Sequence, residues 1–81
     1  MYTVFTQPNC PWCDKAAELL EGRGLPYQQV DITQYPFIKP LLLQAGLKTV
    51  PQIFSPYNTH IGGYEEARIW FDGVDSKGNV A

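Results

Sequence analysis

Two cysteines separated by two residues, in Cys10-Pro11-Trp12-Cys13, are the side chains best suited to chemistry, and the chain has no other cysteine. On the first turn of a helix, cysteines at this spacing reach disulfide distance, with Cα atoms roughly 5–6 Å apart. The free N–H groups and positive dipole end of such a turn stabilise a thiolate, the nucleophilic form of cysteine. The motif therefore predicts a redox-active dithiol.

A metal site is an alternative use of these cysteines. A closed tetrahedral zinc site needs about four ligands. Cys10, Cys13 and His60, which is the single histidine, supply three at most. We therefore predict no metal site within one chain.

Composition narrows the range of partners. The chain has 81 residues, 44% of them hydrophobic, and this predicts one compact domain over residues 1–81. A net charge of −2 argues against a nucleic-acid partner, which usually requires a basic patch. No apolar run approaches the ~18 residues of a membrane span, and residues 1–5 lack the features of a signal peptide. We expect a cytoplasmic protein with neither a nucleic-acid nor a membrane partner.

A strand before the dithiol and a helix after it must hold the two cysteines in place. Hydrophobic patterning predicts the order βαβαββα, with the first two strands parallel across a right-handed crossover and the last two forming a hairpin. The predicted strands are residues 2–6, 26–32, 51–54 and 60–61, and the predicted helices are residues 11–21, 36–45 and 64–71. Residues 72–81 contain Gly73, Ser76 and Gly78 and little apolar mass, so we expect a loosely held tail.

The second helix is the least certain element, because Pro40 lies within it. Either the helix begins near Lys39 or its first turn is kinked. We expect Leu41-Leu42-Leu43 to be core rather than a partner surface. With the core assigned in this way no apolar surface stripe is left over, and a monomer is expected.

Three separated motifs together resemble the thioredoxin fold and, more narrowly, the glutaredoxins. They are Cys10-Pro11-Trp12-Cys13, Thr49-Val50-Pro51-Gln52-Ile53-Phe54 and His60-Ile61-Gly62-Gly63-Tyr64-Glu65. The resemblance covers about residues 2–71, and the length and Ser55-Pro56 resemble small bacterial and bacteriophage members. It implies an α/β fold in which three helices flank both faces of a four-stranded mixed sheet.

The resemblance also implies an activity, namely glutathione-dependent thiol–disulfide exchange on protein disulfides and glutathione mixed disulfides. Cys10 would be the nucleophile and Cys13 the resolving thiol. No tightly bound cofactor is implied, because glutathione is a co-substrate. The implied partners are glutathione and disulfide-containing proteins, among which ribonucleotide reductase is a natural candidate.

Five of the implied site residues lie close to the dithiol or face it. Trp12 would form a wall of the substrate groove where many glutaredoxins carry tyrosine, and Pro11 would tune the redox potential. Pro51 resembles the cis-proline that faces the dithiol and leaves the backbone of Val50 open to a substrate cysteine. Thr49 would flank this groove.

The remaining implied residues concern the carboxylates of glutathione. Gly63, Tyr64 and Glu65 match the place that binds the γ-glutamyl carboxylate, although family members more often carry aspartate at the position of Glu65. Gln7 stands where many glutaredoxins have a lysine for the glycine carboxylate. Lys15 either compensates in part for that missing charge or is a solvated helix residue.

Other readings stay open. An enzyme of this fold reduced by thioredoxin reductase, serving ribonucleotide reductase, is favoured by Gln7 and disfavoured by Gly63-Tyr64-Glu65. An iron–sulfur cluster held by two chains through Cys10 and glutathione is disfavoured by the second cysteine and by Pro11. A structural role with an inert motif would require an unreactive Cys10. We assign structural roles to His60 and to Asp14, which suits the start of a helix.

Overall fold

The computed structural model describes the backbone of residues 1–80 and the side chains of residues 1–72. Four strands and three helices follow one another in the predicted order βαβαββα. They are β1 (Tyr2–Thr6), α1 (Pro11–Gly22), β2 (Tyr27–Asp31), α2 (Ile38–Gln44), β3 (Gln52–Phe54), β4 (His60–Gly62) and α3 (Tyr64–Val80). No helix formed by these residues is long and apolar enough to cross a membrane.

The four strands form one mixed sheet in the order β2-β1-β3-β4. β1 pairs in parallel with β2 and antiparallel with β3, and β3 pairs antiparallel with β4. In this register Val4 lies opposite Ile53, whereas Thr3 lies opposite Phe54. Because side chains alternate along a strand, Val4 and Ile53 face one side of the sheet while Thr3 and Phe54 face the other.

The core lies on the side of Val4 and Ile53, both of which are fully buried. Helices α1 and α3 cover this side and supply the rest of the core cluster, together with Ile61 of β4. The helix residues of the cluster are Ala16, Leu20, Ala67 and Phe71. The core therefore anchors the two helices whose N-termini carry the dithiol and the Gly62-Gly63 motif.

Helix α2 begins at Ile38, so its start near Lys39 is the alternative that the structure supports. Pro40 is the third residue of the helix. The first-turn N–H groups of a helix have no carbonyl partner within it, so a proline there removes no helical hydrogen bond.

Only one of the three consecutive leucines of α2 is buried, and the prediction that all three are core was wrong. Leu42 is buried, but Leu41 is 58% and Leu43 48% exposed. A helix of seven residues turns only one side toward the rest of the domain, so its other apolar residues stay in solvent. The apolar surface thought to be absent is therefore present, and the expectation of a monomer loses this support.

Helix α3 continues to Val80, and the prediction that it ends at Phe71 was wrong. Phe71 is buried, and the carboxylate of the next residue, Asp72, forms an ion pair with the guanidinium of Arg23 at the end of α1. The ion pair thus fixes the first residue past the predicted boundary against α1. Glycine weakens a helix interior by roughly 0.5–1 kcal/mol but adopts helical dihedrals freely. We expected residues 72–81 to be loosely held. Apart from Asp72, the side chains of these residues lie outside the described part of the chain.

Candidate functional site

The turn between β1 and α1 places Cys10 at the N-cap of α1. Asn9, just before it, has a φ of 59°, in the left-handed region that asparagine tolerates better than most residues. Cys10 itself is extended, with φ −119° and ψ 94°. Pro11 is the first residue of the helix, where its missing N–H leaves no bond unmade.

Cys10 and Cys13 are joined by a disulfide with their Cα atoms 5.3 Å apart. The backbone N–H of Cys13 donates to Sγ of Cys10 over 3.2 Å. Cys10 is half-buried, whereas Cys13 is only 1% exposed. After reduction, the same N–H and the positive end of the α1 dipole face the Cys10 sulfur and stabilise its thiolate.

A groove of about 210 Å³ opens beside the dithiol. It is lined by Trp12, Thr49, Val50, Pro51, Gly63, Tyr64, Glu65 and Glu66, and we call it the dithiol groove. Sγ of Cys10 lies 3.9 Å from the carbonyl oxygen of Val50, so the groove meets the reactive sulfur at that residue. The Val50–Pro51 peptide bond is cis, as the resemblance implies. Seven of the site residues predicted from the sequence line this groove.

Aromatic side chains form one wall of the dithiol groove. Trp12 is 51% exposed, and its ring centroid lies 5.6 Å from that of Tyr64. Nζ of Lys15 lies 4.4 Å from the centroid of the Trp12 ring, within the range of a cation–π contact. Lys15 is exposed and does not line the groove, and its ammonium contacts the wall from the next turn of α1.

Glycines open the N-terminus of α3 at the other end of the groove. Gly62 has a φ of 125°, and a Cβ there would lie 2.7 Å from Cβ of Glu66. The N–H of Gly63 donates to Oε1 of Glu66 over 2.8 Å, which is the geometry of a capping box. Sequence reasoning missed Glu66, although a glutamate three residues after the N-cap is its signal. Glu65 forms a separate ion pair with Arg68 over 3.0 Å.

A hydrogen-bond chain behind the groove positions Thr49. The buried Gln52 donates from Nε2 to the carbonyl oxygen of Thr49 over 2.9 Å. Its Oε1 lies 2.7 Å from Nε2 of His60, so these two groups share a hydrogen bond. His60 thus contacts Gln52, and Gln52 is a positioning residue that sequence reasoning did not single out.

Two of the predicted glutathione- and substrate-binding residues do not line the dithiol groove, and neither do the two cysteines. Gln7 and Pro11 are both exposed and lie outside its lining. Within the part of the chain that the structure describes, no three His, Cys, Asp or Glu side chains cluster as metal ligands.

Comparison with known proteins identifies a family for most of the chain. The family model for glutaredoxin matches residues 2–61. The hybrid peroxiredoxin hyPrx5 of Haemophilus influenzae is 35% identical over 69 residues, which are 85% of this chain and 28% of that protein. Glutaredoxin 1 of Rickettsia conorii is 38% identical over 66 residues, 74% of this chain and 61% of that protein. The chain thus spans less than two thirds of either relative.

A solved structure supports the same family assignment. The crystal structure of a buckwheat glutaredoxin–glutathione complex superposes with a TM-score of 0.76 at 30% identity. The match covers 89% of this chain and 69% of the buckwheat chain.

Proposed function

Because the chain belongs to the glutaredoxin family and carries the Cys10–Cys13 pair, we propose that it is a glutathione-dependent thiol–disulfide oxidoreductase. Its substrates are protein disulfides and glutathione mixed disulfides. The observation that carries the proposal is the asymmetry of the pair. Cys10 is half-buried beside the dithiol groove with an N–H donor on its sulfur, whereas Cys13 is buried behind it.

Reduction of a disulfide proceeds in two exchanges. The Cys10 thiolate attacks one sulfur of the substrate disulfide, which forms a mixed disulfide on Cys10 and releases the other substrate sulfur as a thiolate. Cys13 then loses its proton and attacks Sγ of Cys10, which releases the second substrate thiolate. The Cys10–Cys13 disulfide that forms holds the two-electron oxidation, and the released thiolates take up protons.

Two glutathione molecules restore the dithiol. The first glutathione thiolate attacks Sγ of Cys10 and displaces the Cys13 thiolate, which leaves glutathione bonded to Cys10. The second attacks the sulfur of that bound glutathione, so that glutathione disulfide leaves and the Cys10 thiolate returns. The N–H of Cys13, 3.2 Å from the Cys10 sulfur, stabilises the leaving thiolate in this last step. A glutathione mixed disulfide needs Cys10 alone.

The dithiol groove is the proposed place for glutathione. Trp12 and Tyr64 give the tripeptide an apolar wall, and the α3 N-terminus offers backbone N–H groups to its γ-glutamyl carboxylate. The buckwheat relative was solved as a complex with glutathione, which supports this choice. At about 210 Å³ the groove is smaller than the ~300–1,000 Å³ of enclosed ligand pockets, so one side of the tripeptide would stay in solvent.

The proposal extends to the cellular setting. Glutathione keeps the dithiol reduced in a reducing compartment, so we propose a cytoplasmic location. The proposed activity needs no tightly bound cofactor, because glutathione is a co-substrate. Its protein substrates carry disulfides that must be reduced repeatedly, and ribonucleotide reductase is one candidate.

A coupled assay with two electron sources tests the proposal. The purified protein is given glutathionylated cysteine as substrate, once with glutathione, glutathione reductase and NADPH, and once with thioredoxin reductase and NADPH. We expect turnover only with glutathione. Turnover only with thioredoxin reductase would instead identify the reductase-dependent redoxin that Gln7 favours. Turnover with neither would overturn the proposed activity.

A further inference from the structure

A second and larger groove lies on the opposite face of the sheet from α1 and α3. It measures about 520 Å³ and separates α2 from the sheet. Its floor is the edge-to-face pair of Phe5 and Phe54, whose ring centroids are 5.7 Å apart, and Ile38 and Leu41 form its α2 wall. We call it the α2 groove. Its ten lining residues include two polar ones, Thr3 and Asn58, and no charged one.

This lining suits side chains of a peptide better than a small metabolite. Metabolite pockets combine an apolar lining with a few convergent polar groups that orient the ligand. The α2 groove offers a broad apolar surface, and its wall residue Leu41 is 58% and its rim residue Phe37 65% exposed. Exposed apolar surface next to a groove is characteristic of protein docking sites.

The segment that forms most of the α2 groove differs in charge from the whole chain. Residues 32–64 contain no aspartate or glutamate, so all eight acidic residues of the sequence lie elsewhere. The same segment contains Lys39 and Lys48, both exposed and each adjacent in sequence to a residue that lines the groove. The segment that supplies most of the groove lining therefore carries two cations and no anion on a protein of net charge −2, which favours an acidic occupant.

The α2 groove also lies close to the dithiol groove along the chain. Leu47 lines the first and Thr49 and Val50 line the second. Three residue steps of chain span at most about 11 Å. A protein whose disulfide has reached Cys10 is therefore close enough to place a neighbouring segment in the α2 groove.

We propose that the α2 groove docks an apolar segment bearing Asp or Glu residues, supplied by the protein whose disulfide Cys10 attacks. The inference rests on the proposed activity and adds the chemistry by which protein substrates are selected. Apolar side chains enter the groove, and the acidic residues pair with Lys39 and Lys48 at its rim.

A random peptide library selected on the reduced protein tests the docking. We expect enriched peptides to combine apolar residues with Asp or Glu. Leu41→Glu should weaken their binding at least about tenfold, as loss of a central apolar anchor does. Leu43→Glu is the matched control, because Leu43 lies on the same helix, is 48% exposed and does not line the groove. Lys39→Glu with Lys48→Glu should weaken binding and flatten its dependence on salt.

The enriched peptide is then joined to a glutathionylated cysteine and compared with glutathionylated cysteine alone. We expect the peptide to lower KM about tenfold or more in the wild type and in Leu43→Glu, but not in Leu41→Glu. Equal KM values for the two substrates, or enriched peptides that are basic or insensitive to Leu41→Glu, would overturn the docking. Self-association that Leu41→Glu abolishes, seen by sedimentation, would assign the groove to a second copy instead. A wild type that turns over neither substrate would refute the proposed activity, a result distinct from these.

Discussion

The backbone N–H of Cys13 donates to Sγ of Cys10 over 3.2 Å, so one cysteine of the pair stabilises the charge that the other must carry. The contact exists because Cys10 is the N-cap of α1 and Cys13 is the third residue of the helix. An N-cap side chain with an acceptor atom commonly accepts from the N–H of the second or third helix residue. The reactive and the resolving cysteine are therefore distinguished by position on the helix before any substrate binds.

Substitution of each cysteine should separate the two half-reactions. We expect Cys10→Ser to abolish turnover of both protein disulfides and glutathione mixed disulfides, because the attacking sulfur is gone. Cys13→Ser should keep most of the activity on glutathione mixed disulfides and lose the reduction of protein disulfides. The coupled glutathione reductase assay with each substrate class measures both. Protein-disulfide reduction by Cys10→Ser would contradict the assignment of the nucleophile.

A lysine at position 7 should strengthen glutathione binding modestly. Gln7 is exposed and lies outside the dithiol groove lining, so a new ammonium there would act on glutathione across solvent. Exposed ion pairs contribute about 0.2–1 kcal/mol, so Gln7→Lys should lower KM for a glutathione mixed disulfide by a factor of about 1.5 to 5. The gain should shrink at high salt, and Gln7→Glu, the charge-reversed control, should raise KM. An unchanged KM in both variants would show that this position does not sense the ligand.

Much of this site could be predicted from the sequence because its determinants are local. The proline after Cys10, the β-rich segment at Ile53 and the paired glycines before Tyr64 each specify their own turn or strand. Glu66 was missed because the usual capping box begins with Ser or Thr, whereas here Gly63 stands at the N-cap and only the glutamate three residues later signals the cap. The α2 groove was missed for another reason, namely that three leucines in a row do not reveal how many of them a short helix can bury.

Removing the Trp12 side chain should impair glutathione binding with little effect on folding. Trp12 is 51% exposed and contacts Tyr64 in the wall of the dithiol groove. An aromatic contact contributes about 0.5–1.5 kcal/mol beyond the buried area, so Trp12→Ala should raise KM for a glutathione mixed disulfide roughly two- to tenfold. Trp12→Phe should retain most of the affinity. Tyr57→Ala, at a residue 89% exposed and outside the groove lining, is the control and should change nothing.

Tyr27 provides a pH-dependent contact remote from the dithiol. Its hydroxyl donates to the carboxylate of Glu21, which raises the pKa of the Tyr27 phenol above its usual 10.0. The folded-state pKa is the higher one, so this stabilisation is present below pH 10 and is lost as the pH rises through the folded value. In an ultraviolet titration, the difference between wild type and Tyr27→Phe should show a phenol ionising above pH 10.0. In the Glu21→Gln background, the pKa of the Tyr27 phenol obtained in the same way should return toward 10.0. An unchanged pKa there would show that Glu21 is not the cause of the shift.

Adding a methyl group at Gly62 should destabilise the fold at the start of α3, where Glu66 lines the end of the dithiol groove. Gly62 has a φ of 125°, which side chains rarely adopt, and the new Cβ would lie 2.7 Å from Cβ of Glu66. Overpacking of this kind costs about 1–3 kcal/mol, so Gly62→Ala should lower the free energy of unfolding by that amount in urea titrations. Gly22→Ala is the matched control, because Gly22 ends α1 with no atom within 4 Å of its new Cβ. It should leave stability unchanged or raise it by up to about 1 kcal/mol. Equal effects of the two substitutions would show that the Gly62 conformation is not required.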